Sequence, residues 1–339
     1  MARSDPATGT VSVPPESPAL PALAERLVAA GHQVVPVPPR GRDHPWSAAE
    51  LQELFRPADV IVAMPSLSYP RALLEAAPRL RLVVSGVIGV DNIDVAAATE
   101  LGIAVANCPA PENVIGVAEA TIMLMVALLH ELGARQRALR SGKWRPEAPG
   151  RLLWRHQVGL IGYGRIGRAV AERLRGWEVP VRFHDPYVEG STPLDELLAT
   201  SDVVSLHVVL TERTRNLIGA RELALMKPSA VLINTARGGV VDEAALAEAI
   251  ASGRLAGAAI DVFETEPLNP GNPLLACDPE RVILTPHCIG HNQETGPTGV
   301  AMAVEAVRQA MRGDPPANLV NPEVLPRWRT RLATLSGSG

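Results

Sequence analysis

This sequence contains little cysteine, and its N-terminal segment has no apolar run. The 339 residues include three cysteines, Cys108, Cys277 and Cys288, with no CxxC pair. A single disulfide would leave one thiol over, which favours a reducing compartment, so we expect a cytoplasmic protein. The first nine residues, MARSDPATG, lack the apolar core of a secretory signal peptide.

Long apolar runs and basic clusters are also lacking. The longest apolar run, residues 121–129, is too short to span a bilayer and predicts a buried helix. Net charge is −4, and no basic cluster is interleaved with aromatic residues. These features argue against a nucleic-acid or membrane partner. With 47% apolar and 20% charged residues, a chain of this length suits a globular protein of two domains.

Strand-like and helical patterns alternate along most of the chain. Apolar runs at 60–62 and 82–84 lie between helical patterns, which is typical of parallel sheets covered by helices. The alternation breaks at 112–142, where one long helical segment is predicted, packed between domains or subunits or within one core. A second α/β series runs from 158 to about 284. We expect disorder at 1–9 and 331–339.

The second series opens with a glycine motif. Residues 158–167, VGLIGYGRIG, contain G-x-G-x-x-G directly after a strand and at the start of a helix. In this context Gly162 permits a tight turn, Gly164 admits a pyrophosphate, and Gly167 allows the helix to pack closely. Free N–H groups at the helix start would then face the phosphate charge. The motif therefore predicts a dinucleotide site.

An acidic residue ends the next strand of this series. Asp185 follows the strand-like run 179–184. A carboxylate there can bind both ribose hydroxyls of the adenosine and repels a 2′-phosphate, so NAD is favoured over NADP. Asp185 and Pro186 could instead form a simple turn.

Three polar residues follow strand-like runs farther along the chain. Arg237 comes after 230–234, Glu266 after 258–262, and His287 after 282–284. Because ligands of parallel sheets bind at the carboxyl ends of the strands, all three are expected on the edge where a nicotinamide would lie. Each residue taken singly could belong to an ordinary turn or loop. Their occurrence at successive strand ends favours a site.

The three residue types suit one reaction. An arginine offers a planar fork to a carboxylate, and a histidine exchanges protons near neutral pH. A neighbouring glutamate would raise the pKa of the histidine and orient its ring. The set predicts hydride transfer between NAD(H) and a small 2-hydroxy or 2-keto acid. Arg237 would bind the carboxylate and carbonyl, and His287 paired with Glu266 would act as acid and base.

With these motifs in place, the sequence resembles the D-isomer-specific 2-hydroxyacid dehydrogenase family over about residues 55–313. The segments that carry the resemblance include VIGVDNIDVAAATELGIAVANCPAPENVIGVAEA, VGLIGYGRIGRAVAERLRGW, INTARGGVVDEAAL and VILTPHCIG. The resemblance implies two Rossmann-like, doubly wound parallel-sheet domains, the substrate domain flavodoxin-like, with the active site in the cleft between them. It assigns 1–107 plus 288–339 to the substrate domain and 108–287 to the NAD-binding domain. It also implies a homodimer built on 112–142.

The resemblance extends to individual site residues. It implies catalytic roles for Arg237, Glu266 and His287, and it places the substrate carboxylate against backbone N–H groups of a loop before the VDNID motif. Asp261 would contact the nicotinamide carboxamide. The residues expected at the cofactor are Gly162, Gly164, Arg165, Ile166, Gly167, Asp185, His207, Thr235, Ala236 and Asp261. Those expected at the substrate are Gly86, Val87, Ile88, Gly89 and Arg237. No metal is expected.

The sequence departs from the family pattern in two loops. Residues 63–69 and 85–89 contain no cation, which argues against a phosphorylated substrate, although Arg71 and Arg81 lie near in sequence. The loop after His287 carries an extra residue and a second histidine, His291, for which a surface position is favoured. Two alternatives stay open: a relative acting on an unusual acid such as a phosphonate, and an NAD(H)-sensing protein similar to the family's corepressors.

Overall fold

The computed structural model describes residues 8–13, 20–37, 46–65, 67–144 and 149–337. The strands are β1 (Thr10–Val13), β2 (Gln33–Pro36), β3 (Val60–Ala63), β4 (Leu82–Ser85), β5 (Ala104–Ala106), β6 (Val158–Ile161), β7 (Val181–His184), β8 (Val203–Leu206), β9 (Val231–Asn234), β10 (Gly257–Ile260) and β11 (Val282–Leu284). The helices are α1 (Leu20–Ala29), α2 (Ala48–Phe55), α3 (Arg71–Glu75), α4 (Val95–Glu100), α5 (Pro111–Leu129), α6 (Leu132–Arg140), α7 (Arg165–Arg175), α8 (Leu194–Thr200), α9 (Ala220–Leu225), α10 (Glu243–Ala251), α11 (Thr295–Arg312) and α12 (Leu325–Gly337).

The chain divides into two compact units. The first unit contains residues 1–112 and 292–339, and the second contains 113–291. The domain boundaries drawn from the sequence fall slightly earlier in the chain at both junctions. The predicted class, α/β with two Rossmann-like parallel sheets, is confirmed.

The first unit is built on a five-stranded sheet in the order β2-β1-β3-β4-β5, with every pair parallel. All residues of β3 and β4 are buried, because helices cover both faces of the sheet. One face packs against α1, α11 and α12, and the other against α2, α3 and α4. The strand order is the flavodoxin-like one.

The second unit is built on a six-stranded parallel sheet in the order β11-β10-β9-β8-β6-β7. Chain order reverses at β6, which has β7 on one side and β8 on the other. In open parallel sheets this switch point is where ligands bind, beyond the carboxyl ends of the strands. The glycine motif directly follows β6.

The predicted single helix over 112–142 is wrong, since the structure has two helices there. Helix α5 ends at Leu129 and α6 begins at Leu132. Glu131 between them adopts a left-handed conformation with φ of 52°, which an α-helix cannot contain. The break falls where the apolar pattern gives way to the arginine-rich one.

Helix α5 is also longer than the apolar run that it contains. Its 19 residues make it the one described helix that is long and apolar enough to cross a membrane by length and composition. The sequence prediction considered only the apolar run 121–129, which is too short to span a bilayer. It is corrected for the whole helix, which begins ten residues earlier, at Pro111. Core helices of soluble proteins have the same properties, and seven of its residues are buried in this chain.

The expectation of disorder at 331–339 is wrong for most of that segment. Helix α12 extends to Gly337. The Trp328 side chain is fully buried, and its Nε1 donates to the carbonyl oxygen of Arg81 at 2.8 Å. The guanidinium of Arg331 donates to backbone carbonyls of Leu80 and Leu101. The corresponding expectation for residues 1–7 lies outside the described residues.

Candidate active site

Close backbone contacts within the protein require glycine at two of the three motif positions. Gly162 has φ of +93°, and a Cβ atom there would lie 2.6 Å from the carbonyl oxygen of His207. A Cβ atom at Gly167 would lie 2.3 Å from the carbonyl oxygen of Gly162. At Gly164 a Cβ atom would meet nothing within 4 Å. This open position is where a pyrophosphate would approach the backbone, so the loop fits a dinucleotide.

The motif opens helix α7. Arg165 is exposed at its first position, whereas Ile166 packs against the apolar core. Gly164, the N-cap residue, has no side chain to bind the first N–H groups of the helix. These donors and the positive end of the helix dipole suit an anionic group.

Asp185 lies beside this loop at the end of β7. Its Oδ2 accepts the backbone N–H of Tyr163, within the glycine motif, at 2.9 Å, and its Oδ1 accepts that of Tyr187 at 3.1 Å. The carboxylate therefore links the glycine motif to the turn after β7. It is a turn residue, as the alternative interpretation held, and it lies where a ribose-binding acid is expected.

Three more of the expected cofactor residues follow neighbouring strands. His207 follows β8, and its Nε2 lies 3.0 Å from Oγ of Ser205. Burial lowers the pKa of His207 to about 4. Thr235 and Ala236 follow β9 and are buried, with Oγ1 of Thr235 3.1 Å from Oγ1 of Thr121 in α5. These contacts lie at the carboxyl ends of β8 and β9, the edge at which ligands of parallel sheets bind.

The first of the two glycines after Arg237 is required by a close contact with another loop. A Cβ atom at Gly238 would lie 1.8 Å from the carbonyl carbon of Phe263. Only glycine lets the loop after β9 pack so closely against the loop after β10. Nη1 of Arg237 donates to the carbonyl oxygen of Ala236 at 2.7 Å, and the side chain is partly buried. The sequence motif thus serves to bring Arg237 toward the loop that carries Glu266.

Glu266 and His287 form a hydrogen-bonded pair. Nδ1 of His287 lies 2.7 Å from Oε2 of Glu266, and Oε1 of Glu266 accepts the backbone N–H of Phe263 at 2.9 Å. The two residues follow β10 and β11, which are paired, and Arg237 follows β9 on the other side of β10. The structure therefore brings all three predicted residues to adjacent strand ends.

The charges of the three side chains act on one another. The hydrogen bond that Nδ1 of His287 donates to Glu266 raises the pKa of His287, against the effects of burial and of the Arg237 charge. For Glu266, burial acts to raise the pKa. The hydrogen bonds from His287 and Phe263, with the positive charges of His287 and Arg237, outweigh burial and lower it. An ionised glutamate beside a histidine with a raised pKa is a suitable arrangement for proton transfer near neutral pH.

Asp261 holds the loop that carries His287. Its Oδ1 accepts the hydroxyl of Thr285 at 2.6 Å and the backbone N–H of Cys288 at 3.0 Å, and its carbonyl oxygen accepts the N–H of His287 at 2.7 Å. His287 has φ of 51°, a left-handed conformation that costs about 1–3 kcal/mol for a residue other than glycine. This role was missed in the sequence, because the side-chain partners lie 24 and 27 residues away.

The loop of residues 86–89 belongs to the first unit and follows β4. The carbonyl of Val87 accepts the N–H of Cys108 at 3.0 Å, and that of Ile88 accepts Nδ2 of Asn107 at 2.8 Å. In a trans peptide the N–H points opposite to the carbonyl, so the N–H groups of Ile88 and Gly89 face away from Asn107 and Cys108. Neither N–H has a partner among the described residues, whereas that of Gly86 donates to Ala63 at 3.2 Å.

The two arginines noted near these loops in the sequence, Arg71 and Arg81, are already paired. Arg71, at the start of α3, forms ion pairs with Glu75 and Glu100. Arg81, at the opposite end of β4 from the loop, contacts the buried carboxylate of Asp59 at 3.3 Å. His291 is exposed, as the sequence favoured.

Comparison with known proteins places the chain in a family. Residues 122–288 match the description "D-isomer specific 2-hydroxyacid dehydrogenase, NAD binding domain". The chain is 37% identical over 295 residues to a glyoxylate reductase of Korarchaeum cryptofilum, which covers 83% of this chain and 88% of that protein. The chain belongs to the D-isomer-specific 2-hydroxyacid dehydrogenase family, and its second unit contains a domain for a nicotinamide dinucleotide.

Other relatives differ in length and in the activity that their names state. The chain is 38% identical over 289 residues to D-3-phosphoglycerate dehydrogenase of Methanocaldococcus jannaschii, covering 82% of this chain and about half, 54%, of that protein. The crystal structure of a glyoxylate reductase from Paecilomyes thermophila superimposes with a TM-score of 0.81 at 30% identity, covering 94% of this chain and 99% of that one. The comparisons favour neither the phosphonate-directed nor the sensor alternative.

Proposed function

We propose that this protein is an NAD-dependent dehydrogenase that interconverts a small D-2-hydroxy acid and its 2-keto acid. The observation that carries the proposal is the meeting of Arg237, Glu266 and His287 at the ends of three adjacent strands. A carboxylate-binding fork beside an acid–base pair is the set that this chemistry requires. Family membership and the open backbone at Gly164 support the cofactor.

Each side chain has a defined part in the proposed reaction. When bound, NADH would supply a hydride for the carbonyl carbon of the keto acid. Arg237 binds the carboxylate of the substrate and polarises its carbonyl oxygen. His287 donates a proton from Nε2 to that oxygen, since its Nδ1 is held by Glu266. The ionised Glu266 stabilises the charged imidazolium before the transfer and fixes its orientation.

The loop of residues 86–89 is proposed as a second source of donors for the substrate carboxylate. The N–H groups of Ile88 and Gly89 support this assignment, because the carbonyls of Val87 and Ile88 fix their direction. Two backbone N–H groups would bind a carboxylate oxygen without requiring a further charge.

A keto acid with a small uncharged side chain is the proposed substrate, and glyoxylate is the simplest case. The relatives bear two names, glyoxylate reductase and D-3-phosphoglycerate dehydrogenase. A phosphate group would need a cation. No cation occurs within residues 63–69 or 85–89, and Arg71 is engaged by two glutamates. The pairing of Arg71 with two glutamates therefore favours the activity of a glyoxylate reductase over that of a D-3-phosphoglycerate dehydrogenase.

The test is the oxidation of NADH by the wild-type protein with a panel of keto acids: glyoxylate, hydroxypyruvate, pyruvate, branched-chain keto acids, 3-phosphohydroxypyruvate and a phosphonate analogue. Arg237→Ala is run beside it, with Arg182→Ala, an exposed arginine paired with Glu196, as the matched control. A lost bidentate contact of about 3 kcal/mol lowers kcat/KM ~150-fold. Normal turnover of the preferred substrate by Arg237→Ala would refute the proposal, and NADH binding without turnover of any acid would favour a sensor.

NAD rather than NADP is proposed as the cofactor because of Asp185. Its carboxylate stands at the end of β7 beside the glycine motif, where its charge would repel a 2′-phosphate. Asp185→Asn keeps an oxygen acceptor for the N–H of Tyr163 and removes the charge. The ratio of kcat/KM for NADH to that for NADPH should fall in this variant. An unchanged ratio would assign the preference to other residues.

A cytoplasmic homodimer is proposed as the working form. The support is the family resemblance together with apolar side chains on α5 that are exposed in the single chain, Ile115 at 42% and Met123 at 53%. Light scattering after size exclusion should give a mass of twice 35.9 kDa. A monomer mass at micromolar concentration would contradict the assembly.

A further inference from the structure

A serine and a histidine form a pair next to the glycine motif. Ser205 is the third residue of β8 and is fully buried, whereas His207 follows the strand. Their Oγ and Nε2 atoms are 3.0 Å apart. The carbonyl of His207 is the group that excludes a side chain at Gly162, and its Cβ lies 3.8 Å from the Cβ position at Gly167. His207 therefore adjoins the loop that would hold a pyrophosphate.

The direction of this hydrogen bond follows from the partners available to each atom. Within the described part of the chain, the Ser205 hydroxyl has His207 as its hydrogen-bond partner and no second one. If Nε2 carried the proton and donated it, the buried hydroxyl hydrogen would have no acceptor, which is costly. If the hydroxyl donates to Nε2, both groups are satisfied. The second arrangement is therefore favoured.

The protonation of the ring then determines what its other nitrogen offers. A neutral imidazole has one donor and one acceptor nitrogen. Burial lowers the pKa of His207 to about 4, so the ring is neutral at pH 7. With Nε2 as the acceptor, Nδ1 carries the proton. Nδ1 has no hydrogen-bond partner among the residues that the structure describes.

We propose that Ser205 is a positioning residue for the cofactor, which sets the tautomer of His207 so that Nδ1–H is a neutral donor to the phosphate groups of the dinucleotide. This inference rests on the proposed dinucleotide function of the second unit. It adds a residue that does not touch the cofactor itself. Ser205 acts through a single hydrogen bond, so removal of its hydroxyl should leave the fold in place and release the tautomer.

The first measurement is the tautomer of His207 in the ligand-free protein. Protein labelled with ¹⁵N-histidine is studied by long-range ¹H–¹⁵N correlation, and His207→Asn identifies the signals of this ring. The wild type should show a protonated Nδ1 and an unprotonated Nε2. Ser205→Thr, which keeps a hydroxyl, should show the same state, and Ser205→Ala should show a mixture. A protonated Nε2 in the wild type would overturn the proposal.

The second measurement is the dissociation constant of NADH, followed by its fluorescence. Loss of one neutral hydrogen bond should raise this constant about 2- to 10-fold in Ser205→Ala, and Ser205→Thr should restore it. Ser201→Ala is the matched control, because Ser201 is equally buried in the same unit and its Oγ donates to the Leu197 carbonyl at 2.6 Å.

Equal NADH affinities in Ser205→Ala and Ser201→Ala would overturn the role of Ser205. This failure is distinct from failure of the proposed function, in which the wild type itself would bind no NADH. The tautomer of the ligand-free protein is measured independently of both. A protonated Nδ1 together with weakened binding in Ser205→Ala alone would establish the inference.

Discussion

Nδ1 of His287 lies 2.7 Å from Oε2 of Glu266, and the same carboxylate accepts the backbone N–H of Phe263 through its other oxygen. The hydrogen bond raises the pKa of the histidine. Burial acts to raise the pKa of the glutamate, but its hydrogen bonds and the nearby positive charges outweigh burial and lower it. Between these two pKa values the imidazolium and the carboxylate stabilise each other. This pair connects the fold of the second unit to its proposed chemistry.

Glu266→Gln should move the pH dependence of keto-acid reduction toward lower pH. Reduction requires protonated His287, so its rate falls as the pH rises through the pKa of this histidine. Glu266 is the largest cause that raises this pKa, and glutamine removes its charge. The measurement is kcat/KM against pH. Glu264→Gln, an exposed neighbour, is the control, and an unshifted profile in Glu266→Gln would contradict the assigned pairing.

The three motif glycines should separate into two classes on substitution by alanine. Gly162→Ala and Gly167→Ala should each destabilise the protein by more than about 1 kcal/mol, because a Cβ atom there would collide with a backbone carbonyl. Gly164→Ala should leave the thermal midpoint unchanged and raise the dissociation constant of NADH, since its Cβ would enter the open space where the phosphates approach. Calorimetry and NADH fluorescence test both statements. Unaltered NADH binding in Gly164→Ala would place the pyrophosphate elsewhere.

Trp328→Ala should destabilise the first unit by about 3–5 kcal/mol, the usual range for loss of a buried tryptophan. The indole is fully buried and its N–H is bonded to the carbonyl of Arg81. Urea unfolding followed by circular dichroism measures the change. Trp144→Ala is the control, because that side chain is 81% exposed. Equal stability of the two variants would show that α12 does not contribute to the fold of the unit.

The parts of this protein that were predicted from sequence are those in which a local pattern determines the structure. The alternation of apolar runs and helical segments predicted parallel sheets, and the glycine motif after β6 predicted the turn into α7. Gly167 is required by a close contact with Gly162 in the same motif. Gly162 is required by a close contact with His207, which follows the neighbouring strand β8. Polar residues just after strands predicted which side chains would meet, because the carboxyl ends of parallel strands share one edge.

The features that were missed depend on contacts between distant residues. The break is at Glu131, whereas the nearest glycine, Gly133, lies within α6 and does not mark it. Residues 331–337 of α12 were taken for part of a disordered chain end. Trp328 and Arg331 hold this helix through backbone carbonyls just before β4 and just after α4. The role of Asp261 in holding the His287 loop, and the pairing of Ser205 with His207, required the folded structure.

The acid–base role of His287 is tested by a comparison of two histidines in one loop. His287→Asn and His291→Asn are assayed for NADH-dependent reduction of glyoxylate, or of the best acid in the panel. His287→Asn should lower kcat/KM about 100- to 10,000-fold, the usual effect of losing proton transfer, and should still bind NADH. His291→Asn should match the wild type, since His291 is exposed and lies outside the hydrogen-bonded pair. Full activity in His287→Asn would contradict proton transfer by His287.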